Sequence, residues 1–244
     1  MSGTLEVNNL VKNFGGLVAT NNVSFEVKKG ESVGLVGPNG AGKTTIFSQI
    51  MGEIRQNSGS IKFDGIELSN FSTPERIRRG VSRTYQVPRP FEDLSVLENI
   101  RVGLTPNNIW KMITESPDWE MEIELALRVG FSETDLPRKP SELSMGDLRK
   151  LEMARTIATN PSLMLLDEVF AGLTAGEISQ ISNVIQDMRS KRMTFLIVSH
   201  DLKSLEPLVD RLIAINYGEK IAEGEFQDVM KDQAVISSYL GVPE

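Results

Sequence analysis

The sequence predicts an α/β fold in which a parallel-sheet core carries an N-terminal antiparallel β subdomain and an inserted helical subdomain. Three observations predict it. Near-continuous apolar runs at residues 163–166 and 195–198 flank a helical stretch over residues 177–192. That is the pattern of a βαβ unit whose parallel sheet is covered on both faces. The first thirty residues alternate apolar and polar, as in Leu5-Glu6-Val7 and Val23-Ser24-Phe25-Glu26-Val27, and read as antiparallel strands. From about residue 95 to 159 the pattern is mainly helical, with breaks around Pro106, Pro117, Pro137 and Pro140. One domain is expected over residues 1–244, with 1–88 and 159–244 as the core with its β subdomain and 89–158 as the helical insertion.

Taken in order, the opening strands turn at Gly15, Gly16 and Gly30. A short apolar run over residues 31–36 then leads into Gly37-Pro38-Asn39-Gly40-Ala41-Gly42-Lys43-Thr44-Thr45, and residues 46–51 have helical apolar spacing. Strand, glycine-rich loop and helix are the context required by the pattern G-x-x-x-x-G-K-[ST], which an ordinary glycine-rich turn lacks. Gly37, Gly40 and Gly42 let backbone N–H groups converge on phosphate oxygens, and the helix adds its positive N-terminal end. Lys43 supplies a cation for the β- and γ-phosphates, and Thr44 a hydroxyl for Mg²⁺. These residues predict a nucleoside triphosphate site.

Strand alternation returns over residues 59–65, and Arg76-Ile77-Arg78-Arg79 reads as a solvated helix face. Gln86 follows a short β-like run; its amide suits both Mg²⁺ coordination and movement with the loop that carries it. Ser144, with Asp147 three positions later, fits a capping box and marks a helix start. The helix's first amides, the Ser144 hydroxyl and the Gly146 backbone form a second anion site, which suggests a role toward another subunit's phosphate. The run Leu163-Met164-Leu165-Leu166 ends in Asp167 and Glu168. Asp167 is placed to hold Mg²⁺ directly or through water, and Glu168 to orient and polarise an attacking water. His200, the sole histidine, follows the next strand, where an imidazole can reach the γ-phosphate and keep the water and Glu168 in register. A further strand at residues 212–215 precedes an amphipathic C-terminal stretch.

A net charge of −7 argues against nucleic acid, because phosphate backbones require clustered Lys and Arg. No cysteine is present, which excludes disulfides and thiol chemistry. No signal peptide or bilayer-length apolar run is visible, so the expected location is cytoplasmic, with any membrane link made through a partner.

Together these motifs resemble an ABC-type ATPase subunit of the P-loop NTPase class. In order they are the Walker A loop (37–45), the Q-loop (Gln86), the signature helix start (143–147), Walker B (163–168), the D-loop (171–174) and the His200 switch. The resemblance implies ATP and Mg²⁺ as cofactors. It also implies a head-to-tail dimer, homo- or heteromeric, in which each ATP lies between one subunit's phosphate loop and the other's Ser144 and Gly146. Phe14 matches the aromatic that stacks on adenine. Membrane permease subunits are expected to dock on residues 86–91 and the helical middle, which would place the chain peripherally on the inner face of the cell membrane.

The segments Arg83-Thr84-Tyr85-Gln86, 91–100, 216–224 and Tyr239-Leu240-Gly241 are similar to the ATPases of branched-chain amino-acid importers. Related ATPases of urea import and lipopolysaccharide export share Phe170-Ala171-Gly172, and non-transport ABC modules remain a further class. The sequence departs from the family pattern at Met145 and Asp147 in the signature, at Val169 where proline is usual, and at Thr174 where an acid is common. The segment between Gln86 and Ser144 is also shorter than in amino-acid importers.

Overall fold

The computed structural model describes residues 4–104 and 119–240; the predicted breaks at Pro106 and Pro117, and Gly241, lie outside the described residues. The chain opens with β1 (Leu5–Phe14) and β2 (Leu17–Val27), a hairpin turning at Gly15 and Gly16, and then enters β3 (Ser32–Val36). The phosphate loop leads into α1 (Lys43–Met51), followed by β4 (Ser58–Phe63) and β5 (Ile66–Glu67). Next come α2 (Thr73–Arg78), β6 (Val81–Arg83), α3 (Val96–Leu104), α4 (Trp119–Arg128) and α5 (Met145–Ala158). The chain then returns through β7 (Leu163–Asp167), α6 (Ala175–Ser190), β8 (Thr194–Val198), α7 (Leu202–Leu205), β9 (Arg211–Asn216) and β10 (Glu219–Gly224) to α8 (Phe226–Lys231) and α9 (Gln233–Leu240).

The central six-stranded sheet has the order β10-β9-β3-β8-β7-β6; only the β9–β10 pair is antiparallel. A second, four-stranded antiparallel sheet has the order β2-β1-β4-β5. Side-chain alternation explains why β7 and β8 are apolar throughout. Leu163, Leu165, Leu196 and Val198 face the cluster shared with α1 and the antiparallel sheet. Met164, Leu166, Phe195 and Ile197 face the cluster built with α3 to α6. A strand buried on both faces needs an apolar residue at every position, because successive side chains point to opposite sides.

Three local expectations are corrected. The helix after the phosphate loop begins at Lys43 rather than at 46, so the loop's lysine occupies the first helical turn. The strand expected over 59–65 is a hairpin, turning at Asp64 and Gly65, both of which have positive φ. Arg76 is not on a solvated face. It is buried, and its Nη1 donates to the Gln49 and Ile50 carbonyls at the end of α1 at 2.7 Å each, the Gln49 carbonyl also taking the Gly52 amide at 3.1 Å. Burial sets the role of this arginine; its basic neighbours Arg78 and Arg79 concealed that from the sequence pattern. Pro137 and Pro140 do interrupt the helices, beside short 3₁₀ turns at Glu133–Asp135 and Pro140–Glu142.

Candidate active site

Two glycines of the phosphate loop are required by close approach. A Cβ on Gly37 would lie 2.0 Å from the Ile215 carbonyl oxygen, and one on Gly42 would lie 2.4 Å from that of Ala19. Both also have positive φ, so β9 and β2 pin the loop through positions only glycine can fill. Lys43 is buried, and its ammonium donates to the Gly37 carbonyl at 2.6 Å and the Pro38 carbonyl at 3.0 Å. Burial pulls its pKa down; the opposing pull comes from Glu168 and then Asp167.

A cleft of about 330 Å³ opens above this loop. Its floor and sides carry Asn39, Gly40, Ala41, Gly42, Lys43, Thr44 and Thr45, together with Gln86, Glu168 and His200. At its outer end stand Phe14, Leu17, Val18 and Ala19 of the β1–β2 hairpin. Phe14 is half-exposed, with the Lys12 ammonium over its ring 5.1 Å from the centroid. Leu17 and Val18 join it as apolar walls, which the sequence reading missed; exposed apolar residues beside a hairpin turn were the available signal.

Asp167 and Glu168 lie at the carboxyl end of β7. Glu168 has φ +52, a left-handed conformation uncommon outside glycine and found most often where function holds it. Its Oε2 accepts the His200 amide at 3.1 Å, and its Oε1 lies 3.1 Å from His200 Nε2 without a hydrogen bond to it. Burial raises the Glu168 pKa; His200 and Lys43 oppose that shift and Asp167 adds to it.

Asp167 sits beneath the cleft rather than on its wall. Its Oδ2 takes Arg83 Nη2 at 2.6 Å, Thr84 Oγ1 accepts its backbone amide at 3.1 Å, and its buried Oδ1 has no partner. The orphaned Asp167 oxygen, and the Thr44 hydroxyl and Gln86 amide that line the cleft, are oxygen donors of the kind a hard cation such as Mg²⁺ takes. No group of three or more metal-ligating side chains exists among the described residues, so such an ion would need phosphate oxygens to complete its shell. Arg83 also donates to Ser48 Oγ at 3.0 Å and Glu53 Oε2 at 2.8 Å. Its role was missed in the sequence, where it reads only as a polar residue in a short strand.

Ser144 and Gly146 are absent from the lining of this cleft. They begin α5, where Ser144 Oγ accepts the Asp147 amide at 3.1 Å. The capping box predicted with Asp147 is only half made. The Asp147 carboxylate takes the Ser144 hydroxyl at 3.0 Å and the Lys150 ammonium at 3.0 Å instead of the cap's backbone amide. Thr174, where an acid is usual, caps α6 in a complete box with Glu177. Val169 is buried in the core.

Side chains from α5 hold the backbone around Gln86. Arg149 donates to the carbonyls of Tyr85, at 2.5 Å, and Gln86; Glu152 accepts the Tyr85 amide at 2.7 Å; and Arg155 donates to the Arg89 carbonyl at 2.6 Å. A second cleft of about 290 Å³ lies there, lined in part by Arg83, Tyr85, Arg89, Val102, Glu152 and Arg155. No helix among the described residues is long and apolar enough to cross a membrane.

A family model described as ABC transporter matches residues 20–171. The chain is 34% identical to the high-affinity branched-chain amino acid transport ATP-binding protein LivG of Escherichia coli, covering 97% of each chain. It is 32% identical to the probable LivG protein of Methanocaldococcus jannaschii, covering 99% of this chain and 100% of that one. Among solved structures, a nucleotide-free ATP-binding cassette from an ABC transporter matches with a TM-score of 0.86 and 29% identity over 99% of this chain and 100% of the other. The ADP conformation of an ATP-binding cassette of an ABC transporter matches at 0.85 and 30% identity over the same shares.

Proposed function

The chain belongs to the ABC transporter family as an ATP-binding subunit with ATPase chemistry, and from that premise we propose that it powers a branched-chain amino-acid importer. The observation that carries the catalytic part is the division of the site: Lys43, Thr44, Gln86, Glu168 and His200 surround one cleft, while Ser144 and Gly146 stand outside it. A site divided in this way is completed by a second subunit. ATP then lies between the phosphate loop of one chain and the α5 N-terminus of the other, in a head-to-tail dimer with an identical or sister ATPase. The solute assignment draws on the names of relatives that match over nearly the whole chain.

Phe14 stacks on adenine. The amides of residues 37–45 cradle the phosphates, and Lys43 leaves the Gly37 and Pro38 carbonyls to neutralise the β- and γ-phosphates. Thr44, Gln86 and Asp167 would hold Mg²⁺, which would supply charge neutralisation at the reacting phosphate. Glu168 accepts the proton of the attacking water, and His200 keeps its carboxylate in place. The cleft beside Tyr85 and Arg89 receives a cytoplasmic segment of the permease, because its walls are the side chains that grip the backbone leading to Gln86.

Lys43→Ala is expected to lower ATP hydrolysis at least about hundredfold, since it removes the one mobile cation at the transferred phosphate. A steady-state phosphate-release assay checks this, and unchanged turnover would remove the phosphate loop from the chemistry. The solute is tested by purifying the native complex and measuring ATP-dependent uptake of leucine, isoleucine and valine into vesicles. Uptake of urea, or a co-purifying export channel, would replace the branched-chain amino-acid importer assignment.

A further inference from the structure

The N-terminus of α5 already has an anion beside it, supplied by the same chain. Glu177 sits in the first turn of α6, and its Oε2 takes the Thr174 amide and hydroxyl, both at 2.8 Å. Its other oxygen, Oε1, is free of that cap and leans across to α5. There it lies 3.5 Å from Ser144 Oγ, and so close over Gly146 that a Cβ on that residue would be 2.0 Å away. A side chain at position 146 would have to push this carboxylate aside. Thr174 depresses the Glu177 pKa most strongly, with smaller contributions from the Gly146 amide and the Ser144 hydroxyl, so the carboxylate is ionised at neutral pH.

We propose that Glu177 is an internal ligand of the α5 anion site, which a partner subunit's γ-phosphate must displace before the dimer can close. The inference rests on the head-to-tail reading above. Two anions cannot share the Ser144 hydroxyl and the Gly146 amide, because like charges at hydrogen-bond separation repel and the donors are few. Asp147 adds a second negative charge at the same helix start and takes the Ser144 hydroxyl at 3.0 Å, but Lys150 is paired with it, so Glu177, which holds the Gly146 amide, is the anion whose removal changes the site most. The D-loop and the signature helix are thereby joined within one chain. When phosphate arrives, Glu177 Oε1 leaves the Gly146 amide and the neighbourhood of Ser144 while Oε2 keeps its hold on Thr174. The ATP concentration needed for closure is set partly by this exchange.

Glu177→Gln isolates the effect, because glutamine preserves a capping box with Thr174 and removes only the charge. In a Glu168→Gln background, the Mg-ATP concentration giving half-maximal dimer in light scattering is expected to fall about tenfold on adding Glu177→Gln. The difference should shrink in high salt. A second measurement uses ¹⁵N-labelled monomer titrated with inorganic phosphate. The Gly146 amide resonance is expected to shift at about tenfold lower phosphate in Glu177→Gln than in the unaltered chain. If the Glu168→Gln protein dimerises but Glu177→Gln alters neither its ATP requirement nor the Gly146 response, the proposal fails and the dimer reading survives. If the Glu168→Gln protein stays monomeric in ATP while the Gly146 response shifts, the dimer reading fails and Glu177 stands as the internal ligand.

Discussion

Glu168→Gln is expected to reduce ATP turnover by about three orders of magnitude while leaving ATP binding and ATP-driven dimerisation intact. The magnitude is that of removing a positioned general base. Glutamine keeps the shape, and its carbonyl oxygen can still accept the His200 amide that Glu168 Oε2 accepts now at 3.1 Å. What disappears is the anion able to take a proton from water. Burial has already raised the pKa of this carboxyl, which makes it a stronger proton acceptor than a solvated glutamate. Its left-handed backbone, with φ +52, aims it toward His200 and the cleft. On the proposed pairing of Glu168 with His200, 3.1 Å apart, adding His200→Ala to Glu168→Gln should cost little more than either change alone. Phosphate release measures the chemistry, and light scattering with Mg-ATP measures the dimer. A Glu168→Gln protein that holds ATP yet remains monomeric would contradict the proposed arrangement.

Much of the fold was readable because burial on both faces leaves a plain mark. The runs 163–166 and 195–198 are apolar at every position, and both became fully buried strands of the central sheet. Loop chemistry was equally readable, since close packing against Ile215 and Ala19 permits only glycine at positions 37 and 42. Contacts between segments distant in sequence were hidden. Arg76 looks like any basic residue on a helix until α1 ends against it, 26 residues earlier in the chain. Arg83 looks unremarkable until β6 pairs with β7 and brings it to Asp167, 84 residues away. Glu177 reads only as the start of a helical stretch, and its second oxygen acquires meaning only when α5 is placed beside α6. The departures at Asp147 and Thr174 also became intelligible as local pairings, with Lys150 and Glu177 respectively.

Arg83→Met is expected to destabilise the fold by about 3–5 kcal/mol, the usual cost of breaking a buried ion pair from one side. The Arg83 side chain is 4% exposed and that of Asp167 is 2%, so no water replaces the lost partner. Asp167 Oδ1 already lacks a donor, and the substitution would leave Oδ2 without one as well. Serine 48 on α1 and Glu53 just beyond it lose the same guanidinium, which loosens the joint between β6, β7 and α1. For a chain of this length the loss corresponds to a fall in Tm of about 10 °C. A surface pair gives the contrast: removing Lys191 from Asp187, where the side chains are 60% and 43% exposed, should cost less than about 0.5 kcal/mol. Two origins of the Arg83 effect separate in a double variant. If the penalty is an uncompensated buried charge, Arg83→Met with Asp167→Leu recovers much of the stability, because neither ion then remains. If it is lost packing of the guanidinium against Phe47 and Tyr85, the second change adds to the damage. Urea denaturation of the three proteins decides between them, and an Arg83→Met chain as stable as the original would mean that Asp167 needs no internal counter-ion.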